Sequence, residues 1–278
     1  EASFTVLGSI ALHGLRLSET SLGSKVVVIG LGIIGQLVCR LAEAQGSEVI
    51  GIDPDTKRTD MSENFYTSVE EANMTNVDSV IITAATSSNE PIEVATKIAR
   101  NKAKIVVVGD IPLNISRNDF YYKELELVVS KSYGPGRYDK QYEILGKDYP
   151  IEYVRWTENR NFEAFIKLLS QNQIHLLDLV TEEVPFENAP SIYKKFSGED
   201  KPLSIVLRYD NKSEPKIDLQ RTVELEPKTE KVNLGILGAG NFASTTILPI
   251  LKELKKDCQV LGIASSTGFE FRIPFNEF

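Results

Sequence analysis

The stretch KVVVIGLGIIGQLVCRLAEAQGSEVIGID, residues 25–53, constrains this chain more than any other. An apolar run, Lys25–Ile29, leads into Gly30-Leu31-Gly32-Ile33-Ile34-Gly35, which matches G-x-G-x-x-G and opens a helical pattern. Gly30 permits a tight turn, Gly32 lets a pyrophosphate approach the backbone, and Gly35 lets helix and strand pack closely. The free N–H groups at the helix start, around Ile33 and Ile34, together with the positive end of the helix dipole, are expected to hold phosphates. The next strand pattern, EVIGI, ends at Asp53, where a carboxylate can accept both adenosine ribose hydroxyls. A 2′-phosphate there would meet Asp53 and Asp55, so NAD is favoured over NADP. Arg58 weighs the other way, since a guanidinium could bind that phosphate; stacking on adenine is its alternative use. The plain alternative for the whole unit is a tight strand–helix turn in a sheet that binds nothing.

Continuous apolar runs recur at 78–84 and 104–108, separated by helical stretches at 34–45 and 90–101. Unbroken runs suit strands covered on both faces, and strand–helix alternation predicts an α/β fold with a doubly wound parallel sheet. Thr83-Ala84 and Gly109-Asp110 end two of these strands. Strand carboxyl ends line the crevice in such sheets, so Thr83, Ala84 and Gly109 are candidate nicotinamide-side contacts, or else ordinary strand ends. Residues 118–130 read as a short helix and a strand, 159–172 as an amphipathic helix, and 201–209 as a closing strand. The first domain is therefore assigned to 25–209. The charged stretch 210–231, without core-forming periodicity, reads as a linker or an extended surface strand, and is assigned as a linker. At 232–278 a second unit begins with VNLGILGAGNFASTTILPIL, again strand, glycine turn and helix.

Composition narrows the partners. The 278 residues are 42% apolar and 25% charged, an ordinary globular balance. Net charge is −8, from 39 acidic and 31 basic residues, which repels nucleic acid and anionic lipid. The apolar stretch 26–38 is too short to span a bilayer. Two cysteines, Cys39 and Cys258, fit a reducing cytosol, and a cytoplasmic location is expected. With two histidines, His13 and His175, no pair has metal-ligand spacing, so no metal site is assigned.

EASFTVLGSIALHGLR, VVVIGLGIIGQL, GIDPDTKR and SYGPGRYD, in this order, resemble the nucleotide-binding half of the medium-chain dehydrogenase/reductase family. The resemblance covers roughly residues 1–209. It implies that 1–24 is a linker helix from a missing N-terminal catalytic domain, and that zinc ligands, where the family has them, lie there. NLGILGAGNFASTTILPIL, within 232–266, resembles the start of the glucose-fructose oxidoreductase (Gfo/Idh/MocA) family, as a truncated second Rossmann domain. Together the two resemble bacterial two-module oxidoreductases associated with surface-polysaccharide or sugar metabolism.

The function these features imply is hydride transfer between NAD(P) and a small alcohol or sugar-derived substrate. The alternative is a non-catalytic NAD-binding sensor or scaffold. In KSYGPGRYDKQYE, Tyr133 could line the nicotinamide end; alternatively Gly134-Pro135-Gly136 is simply a turn. Catalytic residues are not assigned, and the chain alone is expected not to turn over substrate. IPLNISR at 111–117 resembles the region through which family members pair, implying a homodimer. The second unit lacks the strands to build a crevice, Ser265-Ser266 stand where the first has Asp53, and its apolar residues need a surface from elsewhere. The ending FEFRIPFNEF reads either as non-native sequence or as a short edge strand.

Overall fold

The computed structural model describes residues 1–195, 201–209, 231–238, 240 and 242–264. The chain divides into two compact units, Glu1–Lys212 and Ser213–Phe278. The first begins with α1 (Thr5–Leu17), followed by β1 (Lys25–Ile29), α2 (Ile33–Ala44), β2 (Glu48–Ile52), α3 (Thr56–Thr59), β3 (Phe65–Tyr66), α4 (Val69–Ala72) and β4 (Val77–Ile82). Then come α5 (Glu90–Ile98), β5 (Ala99–Val107), α6 (Arg117–Lys123), β6 (Glu126–Val129), α7 (Lys140–Glu143), α8 (Glu158–Ser170), β7 (Glu182–Pro185), α9 (Ala189–Lys195) and β8 (Ile205–Arg208).

Six strands form one parallel sheet in the order β3-β2-β1-β4-β5-β6. The pleat explains the unbroken apolar runs, because successive side chains go to opposite faces and both are covered. Val26, Val28, Ile81 and Val106 join one core with Ala11 and Leu15 of α1, Leu37 and Leu41 of α2, and Phe165 of α8. Val27, Ile29, Val80, Ile82, Ile105 and Val107 join the other with Ile92, Ala95 and Ile98 of α5. Cys39 is a buried packing residue in the first core, and burial raises its thiol pKa. No helix among the described residues is long and apolar enough to cross a membrane.

Two boundaries differ from the sequence pattern. α5 ends at Ile98, not 101, and Ala99 instead pairs with Val77 at the start of β5. Lys123 Nζ, arriving from α6, donates to the carbonyls of Thr96, Lys97 and Ala99 at 2.7, 2.9 and 2.8 Å. It thereby satisfies acceptors the helix end leaves open. The segment 201–209 does not close the main sheet: β8 pairs in parallel with β7 in a separate two-stranded sheet.

The second unit contains β9 (Val232–Leu237), α10 (Leu248–Glu253) and β10 (Cys258–Ala264), with β9 and β10 parallel. A π-turn segment, Ala243–Ile247, precedes α10. Pro249, which has no amide hydrogen for the α ladder, stands at the junction. The linker assigned to 210–231, apart from Lys231, and the ending after Ala264, with Ser265-Ser266, lie outside the described residues.

Candidate functional site

The sheet order reverses between β1 and β4, and the glycine turn lies there, just beyond the carboxyl end of β1. Gly30 has φ +96°, and a Cβ on it would lie 2.5 Å from the Ala84 nitrogen. A Cβ on Gly35 would lie 1.9 Å from the Gly30 carbonyl oxygen, and one on Gly109 2.0 Å from that of Ala84. The Thr83 hydroxyl donates to the Gly30 carbonyl. Gly30, Gly35, Thr83, Ala84 and Gly109 thus interlock, with no room for a side chain at any of the three glycines. Gly32 differs: its Cβ would meet nothing nearer than Arg58 Nη1 at 3.9 Å. It is the N-cap of α2, and no side chain caps that helix. The first turn, with Ile33 and Ile34, therefore offers amide hydrogens to the space in front of Gly32.

Asp53 follows β2 and is buried. Its Oδ2 accepts from the Leu31 amide at 2.7 Å and Oδ1 from the Asp55 amide at 2.9 Å, which ties the acid to the glycine turn. Arg58 pairs with both acids, at 3.2 Å to Asp53 and 3.3 Å to Asp55. The guanidinium therefore lies over the turn and offsets part of the negative charge that argues against a 2′-phosphate. Sequence spacing placed these three residues near one another but not in this pairing.

Tyr133 belongs to a second cluster, on the loop that leaves β6. Its ring packs on Phe162 with centroids 5.2 Å apart, and Arg137 stacks on it at 5.3 Å. Burial is the main force raising its phenol pKa. Asn161, fully buried on α8, donates from Nδ2 to the Tyr133 carbonyl at 3.0 Å, and its Oδ1 accepts from Arg16 Nε at 2.9 Å. Gly134 and Gly136 both have positive φ, and a Cβ on Gly134 would lie 3.0 Å from His13 Nδ1. Burial, then the charge of Arg16, lowers the His13 pKa to about 4. Glu158 is buried with Oε2 lacking a hydrogen-bond partner, and burial, followed by Glu143, raises its pKa while Arg137 opposes. The turn reading of Gly134-Pro135-Gly136 is correct for the backbone, but the turn is packed between α1 and α8. His13, Arg16, Glu158 and Asn161 were not assigned from sequence. For Glu158 and Asn161 the signal was the density of polar and aromatic residues in YVRWTENRN, 153–161; His13 and Arg16, on α1, carried no such signal.

A separate cavity of about 550 Å³ opens between α5 and α6, lined by Asn89, Glu93, Asn114, Asp119, Tyr122 and Lys123 among others. It shares no lining residue with either cluster. Among the described residues, no group of three His, Cys, Asp or Glu side chains could hold a metal ion.

The parallel sheet, its reversal point and the glycine turn there define a Rossmann-type nucleotide-binding fold. Residues 12–119 match the family described as D-isomer specific 2-hydroxyacid dehydrogenase, NAD binding domain. The chain is 27% identical over 205 residues to the 2-dehydro-3-deoxy-L-galactonate 5-dehydrogenase of Pseudoalteromonas atlantica, covering 68% of this chain and 52% of that protein. Among solved structures, galactitol-1-phosphate dehydrogenase from Escherichia coli is similar with a TM-score of 0.57 at 19% identity, covering 74% of this chain and 59% of that one. A short chain alcohol dehydrogenase from Escherichia coli CFT073, complexed with NADH, is similar with a TM-score of 0.58 at 18% identity, covering 73% and 58%. The chain spans about half the length of the curated relatives it matches.

Proposed function

We propose that the first unit binds NAD(H) in preference to NADP(H), as the cofactor domain of a medium-chain-type dehydrogenase acting on an alcohol or sugar-derived substrate. The observation that carries this is the uncapped start of α2 behind an open Gly32, with Asp53 anchored to the same turn. The cofactor, when bound, would supply hydride transfer, while the protein supplies position. Ile33, Ile34 and Gly35 amides would hold the pyrophosphate, and Asp53 the adenosine ribose. Arg58 would leave its place over Gly32 to stack on the adenine. Thr83, Ala84, Gly109 and Tyr133 would stand toward the nicotinamide end. Two further features belong to this reading. The half-exposed Leu113 and Ile115 would pair with a second copy, and the strand–helix–strand of the second unit suits the start of a Gfo/Idh/MocA-type domain. A role in surface-polysaccharide metabolism follows from the same resemblance.

Fluorescence titration tests the cofactor. NADH should bind about tenfold tighter than NADPH, a difference of ~1.4 kcal/mol. Asp53→Ala should narrow that ratio by weakening NADH. Equal or reversed affinities in the unaltered protein would sink the reading.

A further inference from the structure

Arg16, near the end of α1, and Arg155, just before α8, both stack on Trp156. Their guanidinium carbons lie 3.3 and 3.8 Å from the ring centroid. Arg40, Arg58, Arg100, Arg137 and Arg160 each face a carboxylate. Arg16 and Arg155, like Arg117 and Arg208, do not: among the described residues no acidic side chain forms an ion pair with them. What sets Arg16 and Arg155 apart is that the two share one ring. Arg16 is held instead by the neutral amide oxygen of Asn161. Burial and the charge of Arg155 lower its pKa to about 10, as expected for two like charges brought together in a partly desolvated place. In a chain of net charge −8 such an uncompensated pair is out of character.

Two planar donor forks on one half-buried indole suit an anion. Guanidinium binds carboxylate and phosphate through paired, charge-assisted hydrogen bonds, and reduced exposure to water strengthens them. The position of the pair matters as much as its charge. Asn161 ties Arg16 directly to the Tyr133 carbonyl, on the loop leaving the carboxyl end of β6. That is the end of the sheet where the glycine turn also lies.

We propose that Arg16 and Arg155, stacked on Trp156, form an anion-recognition site for the carboxylate or phosphate of an acidic sugar derivative. The sugar part of this assignment rests on the dehydrogenase reading above; the anion site does not.

Trp156 is the one tryptophan in the sequence, so its emission reports on this site. The full chain is titrated with inorganic phosphate and, separately, with D-gluconate, each against sodium chloride at matched ionic strength. A saturable change with either probe, absent with chloride, is expected, and the probe that saturates identifies the group as phosphate or carboxylate. In R155Q, whose altered side chain is exposed, the apparent affinity should fall at least about tenfold. A response that follows ionic strength alone, or one unchanged in R155Q, overturns the proposal. Should R155Q misfold, phenylglyoxal labelling of the unaltered protein decides. The effective anion should protect Arg155, and labelling indifferent to it overturns the site. NADH binding measured in the same samples separates the two readings, since loss of NADH binding with a saturable anion response defeats only the dehydrogenase assignment.

Discussion

His13 shows how burial converts one side chain into a pH dependence. It lies on α1 against the Gly134 turn, with Arg16 one helical turn further on. Its folded pKa of about 4 is depressed from an ordinary 6.5. The unfolded chain therefore takes up a proton near pH 6.5, while the folded protein resists it until about 4. Stability from the neutral ring is complete above pH 6.5 and is lost as pH falls through that window. The loss is on the order of 3 kcal/mol at full extent. Urea midpoints measured from pH 7 to pH 4 should decline, and His13→Gln should flatten most of that decline. A variant with the original slope would place the titrating group elsewhere.

Among the elements, α1 and α8 meet without room for one more carbon atom. Gly8 is placed so that a Cβ there would lie 2.1 Å from the Phe165 ring, and Phe165 is fully buried. The ring occupies the space that glycine leaves, so the helices approach closely at the expense of helix propensity. Gly8→Ala should destabilise by about 1–3 kcal/mol through overpacking. Phe165→Ala alone should cost about 3–5 kcal/mol by leaving a cavity. In the Phe165→Ala background the same Gly8→Ala change should be neutral or stabilising, because the clash is gone and alanine favours the helix by roughly 1 kcal/mol. Additive effects in the double variant would show that the helices do not meet as described. α5 makes a related point: its end is set by Lys123, a residue beyond the next strand in sequence, and its apolar periodicity alone does not show where it stops.

For the molecule as a whole, two glycine-rich starts raise the question of stoichiometry. The first unit places its turn at the reversal of a six-stranded sheet. In the second, the described strands β9 and β10 pair only with each other, and Val232, Leu237 and Leu261 are exposed. A crevice needs a sheet wide enough to reverse its order, which two strands cannot supply. One NADH per 278-residue chain is therefore expected by calorimetry. Two independent sites per chain would overturn this.

Much of the fold was legible because its determinants are local. The glycine spacing, the unbroken apolar runs and the acid at Asp53 all lie within a single strand–turn–helix–strand, where periods of two and 3.6 residues carry the information. The sequence marked Thr83, Ala84 and Gly109 only as strand ends on the crevice rim; their interlocking with Gly30 and Gly35 became visible in the structure. What only the tertiary structure decided are pairings among residues whose separation carries no periodic signal. Arg58 over Asp53, Arg16 on Asn161 across 145 positions, Lys123 on the end of α5, and β8 against β7 are of this kind. Each depends on where a long or charged side chain, or a short strand, finds a partner once the core has closed. Hydrophobic patterning places the backbone that brings such groups together, but the partner itself is chosen by satisfying charge and hydrogen-bonding capacity in three dimensions.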